Sequence, residues 1–351
     1  MWFGGVVLLA AGTAMAGTPD WPAAPYLDPL RFSSLPLNAA EALAPPPGRW
    51  QVVSTLGYFN VWKLSWHTGT IHQELGLLGT PLTQAELDLL AIRHPDDQFF
   101  HFDLEGARGD LAAAYGLPHG FAVVVQMPWV SVGTPGWDGV PERFHNSFGL
   151  GNMRRDFFPR GQTTIVLRGR SGTVSRLGNR EAGSGIGDVS LALSGPGGRW
   201  LGASHRWAMA VEAPTGERDT LRGSGGWDTG LRWFATWGEG RRHARLGLGY
   251  SFLDAEGSWL GVRRDDTWHT LVELRHPLKG SWDWRVSLRL DSSPLASFTD
   301  SEIGDPSFFW LAGILVPVGR SGFVALDLGE NYPHHALAPD FTLHLSLGWQ
   351  L

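Results

Sequence analysis

The sequence predicts an all-β protein, an antiparallel transmembrane β-barrel of about 12 strands with a short helix in one long loop. Three observations predict it. Segments of roughly ten residues alternate apolar and polar side chains, aromatic residues recur near the ends of these segments, and the final segment, 341–351, alternates without exception. Successive side chains of a strand point to opposite faces, so each segment has one apolar and one polar face.

Composition agrees with two-faced strands. The chain has 351 residues with 47 Gly and 18 Trp, and its charged fraction of 18% is low for a soluble protein. No apolar run after residue 16 is long enough for a transmembrane helix. The absence of cysteine excludes disulfides and thiolate metal sites. On composition alone, a large soluble β-sandwich remains an alternative.

The N-terminal part divides into two segments. Residues 1–16 form a short apolar run that ends in a small-x-small pattern at 14–16, which predicts a signal peptide, although no Lys or Arg precedes the run. Residues 17–48 are rich in Pro and Ala, and we expect a poorly ordered N-terminal arm there. The barrel would then occupy residues 49–351.

Individual strands follow from the alternation. In 282–291, for example, Trp and aliphatic residues oppose a face of Asp, Arg and Ser. A length of about 10–12 residues suits a tilted membrane strand better than the usual soluble strand. The aromatic residues near segment ends, which predict interfacial girdles, are Trp129, Trp207, Trp227, Trp237, Tyr250, Trp268, Trp282, Trp310 and Trp349.

Loop lengths set the strand count. Long and short connections alternate backwards from the C-terminus, which predicts short periplasmic turns, longer extracellular loops and a periplasmic C-terminus. The count is twelve if 163–172 belongs to a long excursion over 132–184. It becomes fourteen if 163–172 and 63–79 both supply wall strands. We favour twelve.

The excursion contains a predicted amphipathic helix within 138–156. Asp138 and Pro141 with Glu142 suit a helix start, and Val140, Phe144 and Phe148 share one face. The helix could be a plug or lid that constricts the barrel, or a surface helix over its mouth. The residues assigned to the plug or lid are Phe144, His145, Phe148, Arg154, Arg155 and Asp156.

Charged side chains recur on the predicted inward faces. Six of these side chains are arginines and six are acidic, so the wall has no strong net charge of either sign. Arg pairs well with carboxylates, so these groups could form a network that fills the lumen, or they could line a water-filled constriction. The predicted lumen-lining residues are Asp188, Arg206, Glu212, Arg232, Arg245, Glu273, Arg275, Asp283, Arg285, Arg289, Asp291 and Asp327.

Motifs for catalysis, metals and nucleotides are weak. Residues 185–188 (GIGD) precede a strand and lack the further glycine or lysine of a nucleotide loop. His145 with Ser147, or His334 and His335 near Asp340, could suggest a hydrolase, but no nucleophile elbow is present. Adjacent strand residues face opposite ways, so the His334–His335 pair does not predict a metal site. We predict no cofactor and no metal.

Several of these motifs resemble one known family. The stretch 144–150 (FHNSFGL) followed by Arg155-Asp156 resembles the signature of the domain of unknown function family DUF3187, whose members are similar to Gram-negative outer-membrane barrels. A strand like 102–117, a Pro-terminated strand like 121–128 and the segment 185–188 follow the same order. The resemblance covers about residues 100–188; it implies the barrel fold and no activity.

The sequence therefore predicts a porin-like small-solute channel in the outer membrane of a Gram-negative bacterium, with a narrow or plugged lumen. A non-transporting structural or binding protein of the envelope is the alternative, and an outer-membrane lipid or peptide hydrolase is a third. Expected partners are outer-membrane lipid and the barrel-assembly machinery, the latter through the C-terminal strand. The net charge of −6 and the lack of a basic patch argue against nucleic acid. Oligomeric state stays unassigned.

Overall fold

The computed structural model of the protein describes residues 21–351 except 23, 29–31, 33, 134–136, 138, 151, 169–173, 179–182, 255–257, 260–261, 298–300 and 332–337. The predicted signal peptide and His334–His335 lie outside the described residues. The strands are β1 (Trp50–Leu64), β2 (Phe99–Gly116), β3 (Ala122–Val132), β4 (Thr164–Arg168), β5 (Val174–Gly178), β6 (Ser184–Ile186), β7 (Val189–Trp200), β8 (Ala203–Ala213), β9 (Asp228–Glu239), β10 (Arg242–Phe252), β11 (Ser258–Trp259), β12 (Val262–Arg263), β13 (Thr267–Pro277), β14 (Asp283–Asp291), β15 (Ser307–Val318), β16 (Gly322–Glu330) and β17 (Phe341–Gln350). The α-helices are α1 (Trp66–Glu74), α2 (Gln84–Arg93), α3 (Gly139–Phe148) and α4 (Ser301–Gly304). Single 3-10 turns span Ala39–Ala42, Pro118–Gly120, Arg155–Phe157 and Arg218–Thr220.

Twelve antiparallel strands form a closed ring. Going round, its members are β1, β2, β3, β7, β8, β9, β10, β13, β14, β15, β16 and β17. The ring closes where β17 pairs with β1, with Gln350 opposite Gln51 and Phe341 opposite Asn60. A closed ring leaves no unpaired sheet edge, which is what a strand-built protein needs inside a bilayer. The predicted fold class and count of twelve are confirmed.

The remaining strands extend the sheet beyond the ring. β4 pairs with residues 99–103 of β2, β5 pairs with β4, and β6 pairs with residues 129–131 of β3. The described part of the segment 163–172, which is β4, is therefore outside the ring, as predicted. The alternative count of fourteen is wrong because α1 occupies most of 63–79.

The two ends of the barrel differ. Short connections join strand pairs at one end, which also carries the start of β1 and the end of β17; we name it the short-turn end. The opposite, long-loop end carries the described helices α1 to α4 and strands β4 to β6.

Helices α1 and α2 were not predicted from the sequence. A capping box formed by Thr83 and Glu86 at the start of α2 is a local sequence signal for that helix. In the described part of the chain, no helix is long and apolar enough to cross a membrane.

The outer surface carries an aliphatic band between two sets of aromatic rings. Exposed Leu, Met and Ile side chains occupy the middle of the strands. Trp50, Trp200, Trp237, Trp282 and Trp349 are exposed near the short-turn end, and Trp129, Trp227, Tyr250 and Trp268 near the long-loop end. Such a band flanked by aromatic girdles is typical of a surface that contacts lipid.

The described residues of the N-terminal arm between 21 and 43 lie inside the barrel, which for this part corrects the expectation of a poorly ordered tail. The described residues between 21 and 43, which we name the plug segment, are almost all buried, and Leu27 and Leu37 have no exposed surface. The apolar groups of the Pro- and Ala-rich arm are thus removed from water, which stabilises this placement.

The wall is shaped to receive the plug segment. Gly57 stands on the inward face, and a Cβ there would overlap the side chain of Leu27. Phe234 breaks the polar pattern of β9, and it packs with Leu37 in one buried cluster. Small and apolar inward residues therefore mark where the plug segment touches the wall.

Candidate functional site

The candidate site is the lumen with its plug segment. Trp21 packs on Phe323 near the short-turn end, with ring centroids 4.6 Å apart. Tyr26 packs at 5.0 Å on Phe309, which lies near the long-loop end of β15. Residues 34–43 lead back from the long-loop end towards the start of β1 at the short-turn end. The plug segment thus runs along the lumen twice.

Three of the predicted lumen arginines hold the backbone of the plug segment. Their guanidinium groups donate hydrogen bonds to carbonyl oxygens: Arg285 to Pro22 at 2.8 Å, Arg232 to Leu35 at 3.0 Å and Arg289 to Leu37 at 2.8 Å. A buried carbonyl needs a donor, and a charged donor gives a stronger bond than a neutral one. The arginines that the sequence predicted as a lumen lining therefore anchor the plug.

The plug segment also contributes its own charge. Asn38 caps the 3-10 turn at Ala39–Ala42, and its side chain donates to Gln126 Oε1 at 2.5 Å. This turn places Glu41 3.3 Å from Arg232, and both side chains are buried. The sequence did not identify Glu41, because the partner that makes its charge significant lies 191 residues away.

Wall charges are paired among themselves as well. Arg275 and Arg241 both bind Asp283, each at 2.6 Å, and Arg245 lies 3.6 Å from Glu273. Arg289 and His269 both contact Asp291, at 3.3 and 2.9 Å. Arg285 pairs with Asp327. All twelve predicted lumen residues are buried except Arg206, which is half-buried and donates to Ser194 Oγ and the Gly120 carbonyl.

One polar cavity separates the plug segment from the wall. It is lined by Asn38, Glu41, Gln126, Asp188 and Glu212 among others, and its water-accessible volume of ≈ 20 Å³ has room for about one water molecule. Asp188 also accepts from the backbone of Gly216 at 2.7 Å, so it braces the loop before β9. A solute could not pass this part of the lumen unless the plug segment moved.

The predicted lid residues gather at the long-loop end. Helix α3 lies across the ends of β16 and β17, where Phe144 packs at 5.4 Å on Phe341 and His145 lies 3.4 Å from Glu330. Arg155 is buried and donates to Asn60 at 2.6 Å, while Arg154 stacks over Trp66 at 3.9 Å. Phe148 and Asp156 are exposed. The helix thus lies at the mouth, whereas the plug segment lies in the lumen; control of passage by the helix stays a prediction.

Docking of α3 should depend on pH through His145. Burial favours the neutral imidazole, but the hydrogen bond and negative charge of Glu330, with the charge of Asp340, outweigh burial and raise the pKa of His145 above its model-compound value of 6.5. A raised folded-state pKa stabilises docking fully below pH 6.5, and this contribution is lost as the pH rises through the folded value. We expect intrinsic-rate-corrected amide protection across 139–148 to be higher at pH ~6 than at pH ~8. The same pH dependence in a His145→Gln variant would contradict this assignment.

The described residues that suggested a hydrolase in the sequence do not assemble into a triad. Ser147 donates to the carbonyl of Arg143 at 2.7 Å, and its neighbour His145 faces Glu330. Asp340 accepts from Lys63 at 2.8 Å and from Asn331 at 3.0 Å. These groups act as structural ties at the long-loop end.

Three comparisons place this geometry among known proteins. A family model described as "Protein of unknown function (DUF3187)" matches residues 92–351. Among solved structures, the COG4313 outer membrane channel from Pseudomonas putida F1 is similar with a TM-score of 0.50 and 12% identity, over 87% of this chain and 96% of that one. The NanC porin gives a TM-score of 0.44 and 7% identity, over 85% of this chain and 100% of that one. A search of curated proteins found no match. Identities this low show the barrel fold alone.

Proposed function

This chain belongs to the DUF3187 family of proteins of unknown function and has the fold of outer-membrane barrels, and we propose from that premise that it is a gated small-solute channel. The gate is the plug segment. The observation that carries the proposal is that a ring of twelve strands, a size between packed eight-strand barrels and open porins of 16–18 strands, holds a non-covalently bound segment in its lumen, with three arginine hydrogen bonds to its backbone.

As such a channel, the barrel would lie in the outer membrane of a Gram-negative bacterium. The aliphatic band would contact lipid, and the girdles would sit at the two interfaces. The long-loop end then faces outward and the plug segment begins on the periplasmic side. The C-terminal strand β17 would be the segment that the barrel-assembly machinery recognises.

A reversible lock tests whether the plug segment gates the lumen. The chain has no cysteine, and Leu27 Cγ lies 3.3 Å from the position of a Cβ at Gly57, so thiols at 27 and 57 are within bridging reach. We expect the Leu27→Cys/Gly57→Cys protein to stay silent in planar bilayers when oxidised and to show openings after reduction. The single variant Leu27→Cys is the control, since it should respond to neither treatment.

A non-transporting structural barrel is the second candidate. The paired wall charges and the tight cavity favour it, because a filled lumen rigidifies a barrel without conducting. Reduced and oxidised proteins that are equally silent would support this candidate over the gated channel.

A further inference from the structure

Two histidines and one aspartate meet on the long-loop end, away from the lumen charges described above. His67 lies in the first turn of α1, His94 follows the last residue of α2, and Asp97 is three residues further on. One potential ligand atom of each residue lies within 4.8 Å of the other two. Sequence reasoning missed this group, because His67 and His94 are far apart in the chain and only the pairing of α1 with α2 joins them.

The distances within the group suit a metal ion. Asp97 Oδ2 lies 3.5 Å from His67 Nε2 and 3.2 Å from His94 Nδ1. Around a tetrahedral zinc with bonds of about 2.0–2.1 Å, neighbouring ligand atoms are about 3.3 Å apart. Direct N–H···O hydrogen bonds would bring these atoms to about 2.9 Å. The two Asp97 distances therefore fit ligands around a shared ion, and the imidazole rings of His67 and His94 lie against each other with centroids 4.0 Å apart.

The backbone that carries two of the ligands is clamped. The guanidinium group of Arg168 donates to the carbonyl of Pro95 at 2.9 Å and to that of His94 at 2.8 Å. A longer contact of 3.5 Å reaches the carbonyl of Asp97. Ligands fixed before the ion arrives lose less conformational freedom on binding, so this clamp favours metal affinity.

The third ligand is fixed to the other two through the α1–α2 pair. His72 of α1 bonds to Glu86 of α2 at 2.6 Å inside the protein, and Glu74 pairs with Arg93 at 2.8 Å. Since His67 lies on α1, its distance from His94 is set by these contacts. The group is thus held by side chains other than the ligands themselves.

We propose that His67, His94 and Asp97 bind a divalent transition-metal ion at the long-loop end. Imidazole nitrogens with one carboxylate suit Zn²⁺, Ni²⁺ and Cu²⁺, whereas Mg²⁺ and Ca²⁺ prefer oxygen ligands. The side chains of His67 and Asp97 are 41% and 50% exposed, so an ion can reach them and water can complete its coordination. Affinity should follow the order Cu²⁺ above Zn²⁺ and Ni²⁺.

Calorimetry with the full chain, purified without a polyhistidine tag, tests the proposal. We expect one Zn²⁺ to bind per chain in the presence of excess Mg²⁺. His67→Ala, His94→Ala and Asp97→Asn should each weaken binding by at least about tenfold, by analogy with the losses seen when a metal site is altered. The matched control is His119→Asn at the short-turn end, because His119 is exposed and its positive φ suits Asn. It should bind like the wild type.

A second measurement separates this site from adventitious binding. Bound Cu²⁺ should show an electron paramagnetic resonance spectrum with coupling to two nitrogens in the wild type and to one in either His variant. Unchanged Zn²⁺ stoichiometry in a His67→Ala/His94→Ala protein, or no binding by the wild type, would overturn the proposal. Heat-modifiable migration on a gel checks that each variant is folded. None of these readouts depends on conductance, so the outcome is independent of the proposed channel function.

Discussion

Deleting residues 21–43 is expected to turn a barrel that opens only briefly into a channel that stays open. The plug segment lies in the lumen, and the remaining wall of twelve strands lies between packed eight-strand barrels and open porins of 16–18 strands. We expect the time-averaged conductance in planar bilayers to rise clearly above that of the wild type, because the lumen of the twelve-strand wall is then no longer occupied. Arg285 and Arg289 keep Asp327 and Asp291 as partners, but Arg232 loses Glu41. The open pore should therefore prefer anions slightly.

A second deletion identifies the segment that closes the lumen. Removing 138–156 takes away α3, which lies at the mouth, but leaves the plug segment in place. We expect conductance of that protein to stay close to the wild-type value. If deleting 138–156 opens the barrel and deleting 21–43 does not, the gate is the helix and our assignment of the plug is wrong.

The sequence predicted the wall well because strand side chains have a local signal, alternation with a period of two. The sequence also contained an indication that a segment lies inside the barrel. In β15, inward Phe309, Leu311 and Leu315 are as apolar as the outward residues, a pattern of strands buried on both faces. These inward residues cluster with Tyr26 and Trp21 of the plug segment. Apolar exceptions on a polar face therefore indicate contacts with a segment inside the barrel.

Other features could not be predicted because they depend on non-local geometry. The sequence around Leu35 and Leu37 does not indicate that their carbonyl oxygens accept hydrogen bonds from Arg232 and Arg289. These arginines are about 200 residues away or more. The Pro- and Ala-rich composition of the arm is common to disordered tails and to segments packed against a partner. The closed ring decides between a disordered tail and a packed segment, because it provides an enclosed surface with hydrogen-bond donors for the backbone of the arm.

Replacing Arg285 by Ala is expected to destabilise the barrel strongly. Arg285 of β14 reaches over Gly313 of β15 to Asp327 of β16, and these three residues are in register on neighbouring strands. Gly313 makes this possible, since a Cβ there would overlap the Asp327 carboxylate. Removing the guanidinium leaves Asp327 buried without its charge partner and the Pro22 carbonyl without this donor. Breaking such a buried pair costs about 3–5 kcal/mol.

Urea unfolding in lipid vesicles, followed by tryptophan fluorescence, measures the loss. Arg199→Ala is the matched control: its ion pair with Glu239 spans 3.7 Å at the exposed short-turn end, so its removal should change stability little. An Arg285→Met/Asp327→Leu protein should regain most of the stability, because the uncompensated charge is then gone. If the double variant is as unstable as Arg285→Ala, the cost comes from lost packing or from the released Pro22 carbonyl instead. Conductance separates those two causes, since only release of the plug segment should also increase channel openings.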